Sequence, residues 1–149
     1  MKISDFLAPG DVKADVTAAD KEKLLSELAD IASKKLQLAG DDIAAELLKR
    51  EEFGSTGVGG GVALPHARFQ RLKKPFGMLT RLKKAIAYDA VDGKPVDIVV
   101  LLLLPESTGG EQQLGALATI ARKLRDQKTT TALRRARDSA DMYRILTAD

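Results

Sequence analysis

The sequence contains no cysteine and only one histidine among its 149 residues. Without cysteine the chain has no disulfide, no thiolate metal site and no cysteine nucleophile, a composition that fits a reducing compartment. A single histidine also argues against a histidine-based metal centre. We therefore expect neither a metal nor another cofactor, and His66 becomes the residue to explain.

Long apolar runs are also missing. The longest, at residues 98–104, is far shorter than the roughly 20 residues that cross a bilayer, and residues 1–5 begin the chain without an apolar signal core. We therefore predict a soluble, cytoplasmic protein that does not associate with a membrane. Its length predicts one domain over residues 1–149, which buries roughly two-thirds of its unfolded surface.

Acidic residues are scarce in two parts of the chain. Seven arginines and lysines at positions 68–84 have no acid among them, and seven more at positions 122–137 are interrupted only by Asp126. Such groups attract acidic partners or nucleic acid, or simply form a solvated face. Aromatic residues, which stack on bases, make up only 4% of the chain, and no nucleic-acid motif accompanies the charge, so we predict no nucleic-acid binding.

Glycine, in contrast, is concentrated at residues 54–61, which hold five of the twelve glycines. So much glycine favours neither a helix nor a strand. Amides that turn freely, with the hydroxyls of Ser55 and Thr56 among them, have the local chemistry of a phosphate cradle. We therefore predict that Ser55, Thr56 and Gly57 bind a phosphate or phosphoryl group; the alternative is a flexible loop in which the two hydroxyls cap turns.

Three familiar motifs are absent from this stretch. No Gly-Lys-Ser/Thr triplet follows the glycines, so a Walker-type loop is excluded. Counting from Gly57 and Gly59 puts Val62 in the last position of a dinucleotide-binding pattern, where glycine is required. Ser55 follows Gly54 directly, which breaks the Gly-x-Ser-x-Gly pattern of many serine hydrolases. The sequence therefore indicates neither an ATP-binding loop nor an NAD-binding site, and it does not indicate a serine hydrolase.

His66 and Arg50 flank the glycine stretch. Residues 62–64 are apolar and predict a strand, and Pro65 fixes the backbone angle just before His66. An imidazole held at a strand end is a candidate nucleophile. The alternative is a histidine whose ring only forms hydrogen bonds to the backbone. The guanidinium fork of Arg50 matches phosphate oxygens in two-point geometry; the alternative is an arginine that is solvated or contacts the last carbonyls of its helix.

Helical spacing predicts several helices. Residues 17–20 have the form of a capping box, and apolar residues at 24–36 follow at helical spacing. Gly40 suits the C-terminal cap of this helix, and Asp41 or Asp42 can begin a second one that ends near Arg50. A third helix is predicted at residues 114–124, followed by one or two short helices. The inward-facing residues of this tail are predicted to be Leu133, Met142, Ile145 and Leu146.

The strands are predicted from apolar runs. Residues 96–104 form a nearly continuous run of branched residues, which predicts a central strand buried on both faces. Residues 76–82 predict another strand, and residues 69–75 a polar loop. Residues 1–7 are expected to form an amphipathic lead on the surface, followed by a turn at Pro9-Gly10.

Because helices and apolar strands alternate, we predict an α/β fold: a three-layer sandwich with a mixed, mostly buried β-sheet and helices on both faces. Ligands of parallel sheets lie beyond the C-terminal ends of the strands. His66 is expected to end one strand, and residues 105–110 follow the central one. We therefore expect the loop at residues 105–110 to line the same pocket as His66.

Several of these segments together resemble a known family. Arg50-Glu51, residues 54–59 and residues 61–67 resemble the active-site segment of enzyme IIA proteins of the phosphotransferase system, in the fructose/mannitol/nitrogen-related group. Residues 86–97 resemble the stretch that leads into the central strand of that family. The similarity thus covers most of the chain and implies a single EIIA type-2 domain with the IIA fructose/mannitol-like fold. Among the subgroups, the chain is most similar to the nitrogen-related enzyme IIA, a free-standing regulatory phosphocarrier.

The resemblance implies a function. His66 would accept a phosphoryl group from phosphohistidine on a small HPr-like carrier, which enzyme I charges from phosphoenolpyruvate, while Arg50 and the loop donate hydrogen bonds to it. Sugar-transporting relatives pass the group on to a IIB domain. In the nitrogen-related type, the phosphorylation state itself is the signal, and its targets would be proteins such as potassium transporters or sensor kinases.

One departure from the family concerns Gln113. The family commonly has a second histidine in the pattern His-Leu-x-x-Leu, and Gln113 stands at that position here. An amide still donates a hydrogen bond to a phosphoryl oxygen, but it carries no charge. The chain is therefore also compatible with a binding module that has lost the relay and acts through its basic surface on partner proteins.

Overall fold

The computed structural model of the chain describes residues 1–106 and 110–149, with the side chains of residues 110–114 outside the description. The strands are β1 (Leu7–Val16), β2 (Gly57–Gly59), β3 (Val62–Ala63), β4 (His66–Phe69), β5 (Phe76–Ile86) and β6 (Val96–Pro105). The helices are a short 3-10 turn (Ile3–Asp5), α1 (Lys21–Lys35), α2 (Gly40–Glu52), α3 (Gly110–Arg125), α4 (Gln127–Arg135) and α5 (Ser139–Thr147).

The strands form one mixed sheet around β6. Its order is β1-β5-β6-β3-β2, and β4 also pairs with β6 on the side that β3 occupies. β5 runs antiparallel to β6, whereas β3 and β4 run parallel to it. Because β6 has neighbours on both sides, its backbone hydrogen bonds are satisfied within the sheet, as the predicted central strand requires.

Side chains of β6 alternate between two apolar layers. Val99, Leu101 and Leu103 pack with residues of α1 and α2. The intervening residues of the same strand pack with α3, α4 and α5. This alternation follows from the two-residue period of a strand. The α/β three-layer prediction and the burial of β6 on both faces are confirmed.

The N-terminal segment differs from the prediction. Ile3, Phe6 and Leu7 are buried in the same apolar layer as α3 and α5, so the expected surface position is wrong. The expected turn at Pro9-Gly10 is wrong too, because both residues lie within β1. Proline is tolerated there since β1 lies at the edge of the sheet, and its pairing with β5 is irregular between Leu7 and Val12.

The boundary between the first two helices also needs correction. Helix α1 begins after Asp20, whose carboxylate accepts a hydrogen bond from the Lys23 amide at 2.8 Å. Asp20 is thus the N-terminal cap, and residues 17–20 do not form the expected capping box. Gly40 does not cap α1, which ends at Lys35, but is the first residue of α2. The acidic residues at 41 and 42 then lie in the first turn of α2, where negative charge is favourable.

The strands around His66 are more numerous than predicted. Residues 57–59 form β2 despite their glycines, because they pair with β3 at the edge of the sheet. His66 begins β4 rather than ending a strand, since β6 extends beyond β3 and offers a free edge to residues 66–69. Phe69 and Leu72 are buried, so residues 69–75 are not a purely polar loop.

The C-terminal part agrees with the sequence. Two short helices, α4 and α5, follow α3, and Leu133, Met142 and Leu146 are fully buried between them and the sheet, whereas Ile145 is half-buried. Among helices within residues 1–106 and 110–149, none combines the length and the apolar character needed to traverse a bilayer.

Candidate functional site

His66 is held against the central strand. β4 runs parallel to β6, with His66 opposite Leu102. The Leu102 amide donates a hydrogen bond to the carbonyl of Pro65 at 2.9 Å, which fixes the backbone immediately before the ring. Leu102 belongs to the apolar layer of α3, α4 and α5, so His66 lies on that face of the sheet, whereas Ala67 faces α1 and α2.

A hydrogen bond to the backbone determines the tautomer of His66. Its Nδ1 lies 2.8 Å from the carbonyl oxygen of Leu64. A carbonyl oxygen only accepts, so Nδ1 carries the proton and donates, and the lone pair is on Nε2. The half-buried ring therefore presents Nε2 as a nucleophile.

The surroundings keep the ring neutral. Burial lowers the pKa of His66 below its ordinary value of 6.5, and the positive charges of Arg50 and Arg68 lower it further. The hydrogen bond to Leu64 and the negative charge of Glu51 raise the pKa, but the net direction is downward. At neutral pH the ring is thus unprotonated at Nε2, as a nucleophilic imidazole must be.

We predict that an NMR titration of the His66 ring will give a pKa below 6.5. The unfolded chain, with a pKa near 6.5, then binds the proton first as the pH falls, so the free energy of unfolding decreases below about pH 6.5 and is unaffected by His66 above it. With one histidine in the chain, the ring signals need no assignment. A pKa at or above 6.5 would contradict the burial argument.

An open cleft beside His66 brings further charged groups to the ring. Helix α2 contributes Lys49 and Arg50, β4 contributes Arg68, and the residue after β6 contributes Glu106. The expectation that the chain after β6 lines this pocket is confirmed for Glu106, whereas residues 107–109 lie outside the described part. The carboxylates of Asp42 and Glu46 line the cleft too, so its positive charge is local, at Arg50 and Arg68, whose charges act on His66.

Arg50 occupies the last turn of α2, as predicted. Its Nη1 donates a hydrogen bond to the carbonyl oxygen of Gly54 at 2.8 Å. This bond ties the end of α2 to the start of the glycine loop, and Arg50 lines the cleft together with His66. The contact of Arg50 with a phosphoryl group on His66 stays a prediction.

Ser55, Thr56 and Gly57 are engaged within the protein. The Ser55 hydroxyl donates to the carbonyl of Tyr88 at 2.9 Å and accepts from the Gly57 amide at 3.0 Å. Thr56 is only 3% exposed, and its hydroxyl is bonded to the carboxylate of Glu51. Among the residues that the structure describes, these three do not line the cleft with His66. Their contact with a phosphoryl group stays a prediction.

Two further residues need comment. Gln113 lies in α3, but its side chain is outside the described part of the chain, so its contact with a phosphoryl group also stays a prediction. Arg68 lines the cleft, although the sequence analysis places it only in a basic group. Its position could have been predicted from the spacing, because Arg68 stands two residues after His66 in one strand and therefore on the same face.

The two basic groups are not uniform surfaces. Arg81 is buried, and its Nη1 donates to the carbonyls of Leu133 and Ala136 at 2.9 and 2.7 Å. Arg134 forms a two-point ion pair with Asp97. These two arginines hold structural elements together and are not available to steer a partner.

Comparison with known proteins finds a matching family model and similar sequences. A protein-family model described as "Phosphoenolpyruvate-dependent sugar phosphotransferase system, EIIA 2" matches residues 5–149. A nitrogen regulatory protein of Bradyrhizobium diazoefficiens is 42% identical over 149 residues, which cover 98% of this chain and 95% of the relative.

Solved structures agree. Nitrogen regulatory protein IIA-Ntr from Neisseria meningitidis superposes with a TM-score of 0.92 at 32% identity, covering 97% of this chain and 99% of that one. IIA mannitol from Escherichia coli has a TM-score of 0.78 over 93% of this chain and 97% of that one, but at 15% identity this likeness concerns the fold alone. The resemblance seen in the sequence is confirmed by these matches.

Proposed function

Because this chain belongs to the EIIA 2 family of the phosphotransferase system and is of the nitrogen regulatory type, we propose that it is a phosphohistidine carrier whose acceptor is His66. The observation that carries this proposal is the hydrogen bond from Nδ1 to the carbonyl of Leu64. It leaves the lone pair on Nε2 of a neutral ring, and His66 lines a cleft together with Arg50 and Arg68, whose positive charges act on the ring.

The transfer needs little from the protein beyond alignment and charge. The Nε2 lone pair of His66 forms a bond to phosphorus while the nitrogen–phosphorus bond of a phosphohistidine donor breaks, and that electron pair returns to the donor ring. No proton leaves His66, because Nε2 carries none and Nδ1 keeps its own. The hydrogen bond to Leu64 then stabilises the positive charge of the phosphorylated ring.

Arg50 is proposed to contact the phosphoryl oxygens during this step. Arg50 lines the cleft, and its guanidinium group has donors beyond the one that binds Gly54. Ser55, Thr56, Gly57 and Gln113 remain proposed phosphoryl contacts; for the first three, this requires them to exchange their present protein partners. No metal or other cofactor is part of the proposal.

The donor and the output follow from the family. We propose an HPr-like phosphocarrier as the donor, a cytoplasmic location, and regulatory targets such as potassium transporters or sensor kinases, with residues 1–149 acting as one domain. Relatives and a solved structure with at least 30% identity named nitrogen regulatory proteins support a signalling role over onward transfer to a IIB domain.

The test is the intact mass of the protein after incubation with phosphoenolpyruvate, enzyme I and an HPr-like carrier. We expect one acid-labile phosphoryl adduct, which is absent from a His66→Ala control. No adduct, with a donor shown to be active on another IIA protein, would contradict the carrier proposal.

The glutamine at position 113 favours one competing proposal, a binding module without relay activity. Such a protein would take no phosphoryl group but would still bind its targets. Replacement of Gln113 by histidine separates the two. If the variant gains an adduct that the natural chain lacks, the relay was lost at this position.

A further inference from the structure

A polar network lies behind the glycine loop, apart from the cleft. Its centre is Glu51, in the last turn of α2, whose side chain is only 6% exposed. One carboxylate oxygen, Oε1, lies 2.9 Å from both the Thr56 amide and the Lys21 ammonium group. The other, Oε2, accepts from the Thr56 hydroxyl. Glu51 therefore holds Thr56 at two points, through its backbone and its side chain.

The hydrogen bonds continue from Thr56 to the catalytic ring. The Thr56 carbonyl accepts from the Leu64 amide at 2.9 Å. The Leu64 carbonyl in turn accepts from Nδ1 of His66 at 2.8 Å. Leu64 is thus fixed by the loop on one side and fixes the imidazole on the other.

We propose that Glu51 is a positioning residue for His66: by fixing Thr56, it holds the Leu64 carbonyl in the place that keeps the proton on Nδ1 and the lone pair on Nε2. This inference rests on the proposed role of His66 as a phosphoryl acceptor. It assigns to Glu51 the choice of the attacking nitrogen and no contact with the phosphoryl group itself.

The hydrogen bonds of the network run in one direction, from Tyr88 through Thr56 to Glu51. Burial raises the pKa of Tyr88, so its phenol stays protonated. The Tyr88 hydroxyl lies 3.1 Å from the Thr56 hydroxyl. Since the carboxylate of Glu51 only accepts, the Thr56 hydroxyl donates to Glu51 and accepts from Tyr88. Lys21 supplies the compensating charge, and its ammonium group lies 4.5 Å from the centre of the Tyr88 ring.

Glu51 also acts on His66 through its charge, by raising the pKa of the ring. A purely electrostatic role would therefore change the pKa and leave the tautomer as it is. A positioning role changes the tautomer at a pH where the ring is neutral. The two roles are separated by measuring which nitrogen carries the proton.

The experiment compares Glu51→Gln with Glu52→Gln in the full chain. Both glutamates are near the end of α2, but Glu52 is exposed. The ¹⁵N chemical shifts of the imidazole are measured at pH 8 without a phosphoryl donor. We expect the natural chain and Glu52→Gln to show the Nδ1–H tautomer. Glu51→Gln is expected to show a mixture with Nε2–H, because an NH2 group, which only donates, replaces one of the two carboxylate oxygens that accept from the amide and the hydroxyl of Thr56.

The rate of phosphoryl uptake from the HPr-like donor is the second readout. We expect it to fall by about 10- to 100-fold in Glu51→Gln, the range known for losing a group that orients a metal-bound histidine. As the control, we expect Glu52→Gln to take up the phosphoryl group at the same rate as the natural chain. If Glu51→Gln fails to fold, Thr56→Val and Thr56→Ser give the tautomer test, since only serine retains the hydroxyl.

The tautomer result decides the proposal independently of the carrier function. A folded Glu51→Gln, or a folded Thr56→Val, that keeps the Nδ1–H tautomer would overturn it. So would a natural chain in which the proton is on Nε2. If the natural chain takes up no phosphoryl group, the proposed function fails, while the ring signals still show whether Glu51 positions His66.

Discussion

Replacing Arg50 with alanine will lower the rate of phosphoryl uptake by about 10²- to 10³-fold, the usual cost of removing one preorganised donor from developing charge. Arg50 lines the cleft with His66, and within the described part of the chain its guanidinium group forms one hydrogen bond, to the Gly54 carbonyl. Losing that exposed bond costs only about 0.5–1.5 kcal/mol of stability. Converted to free energy, the loss of rate should therefore exceed the loss of stability.

Rapid-quench transfer from the phosphorylated HPr-like donor measures this rate, and chemical denaturation measures the stability of the same samples. Arg135→Ala is the matched control, because Arg135 is an exposed arginine on α4 and lines a different part of the surface. An unchanged rate in a destabilised Arg50→Ala protein would show that Arg50 only ties the loop to α2.

Replacing Arg81 with methionine will lower the free energy of unfolding by about 2–4 kcal/mol, because it leaves buried carbonyls without their charged donor. Arg81 projects from β5 and binds the carbonyls of Leu133 and Ala136 at the end of α4. Its ion pair with Asp15, at 3.4 Å, adds little, since the carboxylate side chain is 67% exposed.

Urea denaturation monitored by circular dichroism gives both the midpoint and the slope. Lys83→Met is the control, since Lys83 is an exposed cation on the same strand, and a shift within about 0.5 kcal/mol is expected. Equal losses in the two variants would mean that Arg81 contributes no more than an ordinary surface charge.

Much of the fold could be predicted because its signals are local. The apolar run of β6 and the helical spacing of α1 appear in consecutive residues, and both elements were placed correctly. β1 has no such signal. Its first residue, Leu7, pairs with Gly77, seventy residues further along the chain, and the local turn chemistry of Pro9-Gly10 argues against a strand.

In the candidate site, too, some features could be predicted from the sequence and others could not. His66 and Arg50 were found from residue type and spacing, and the structure brings them to one cleft. The contacts of Ser55 and Thr56 with Tyr88 could not be predicted, because Tyr88 is more than thirty residues away in the sequence. Hydroxyls and amides that look available in a glycine-rich sequence are already bonded once the chain is folded.

The sequence by itself determined the family, the α/β layers and the identity of the acceptor histidine candidate, since each depends on residue type at short spacing. Only the tertiary structure decided which nitrogen of His66 holds the lone pair, which cations are buried, and what holds the glycine loop. Hydrogen-bond direction, burial and charge pairing depend on groups that meet only when distant segments pack together.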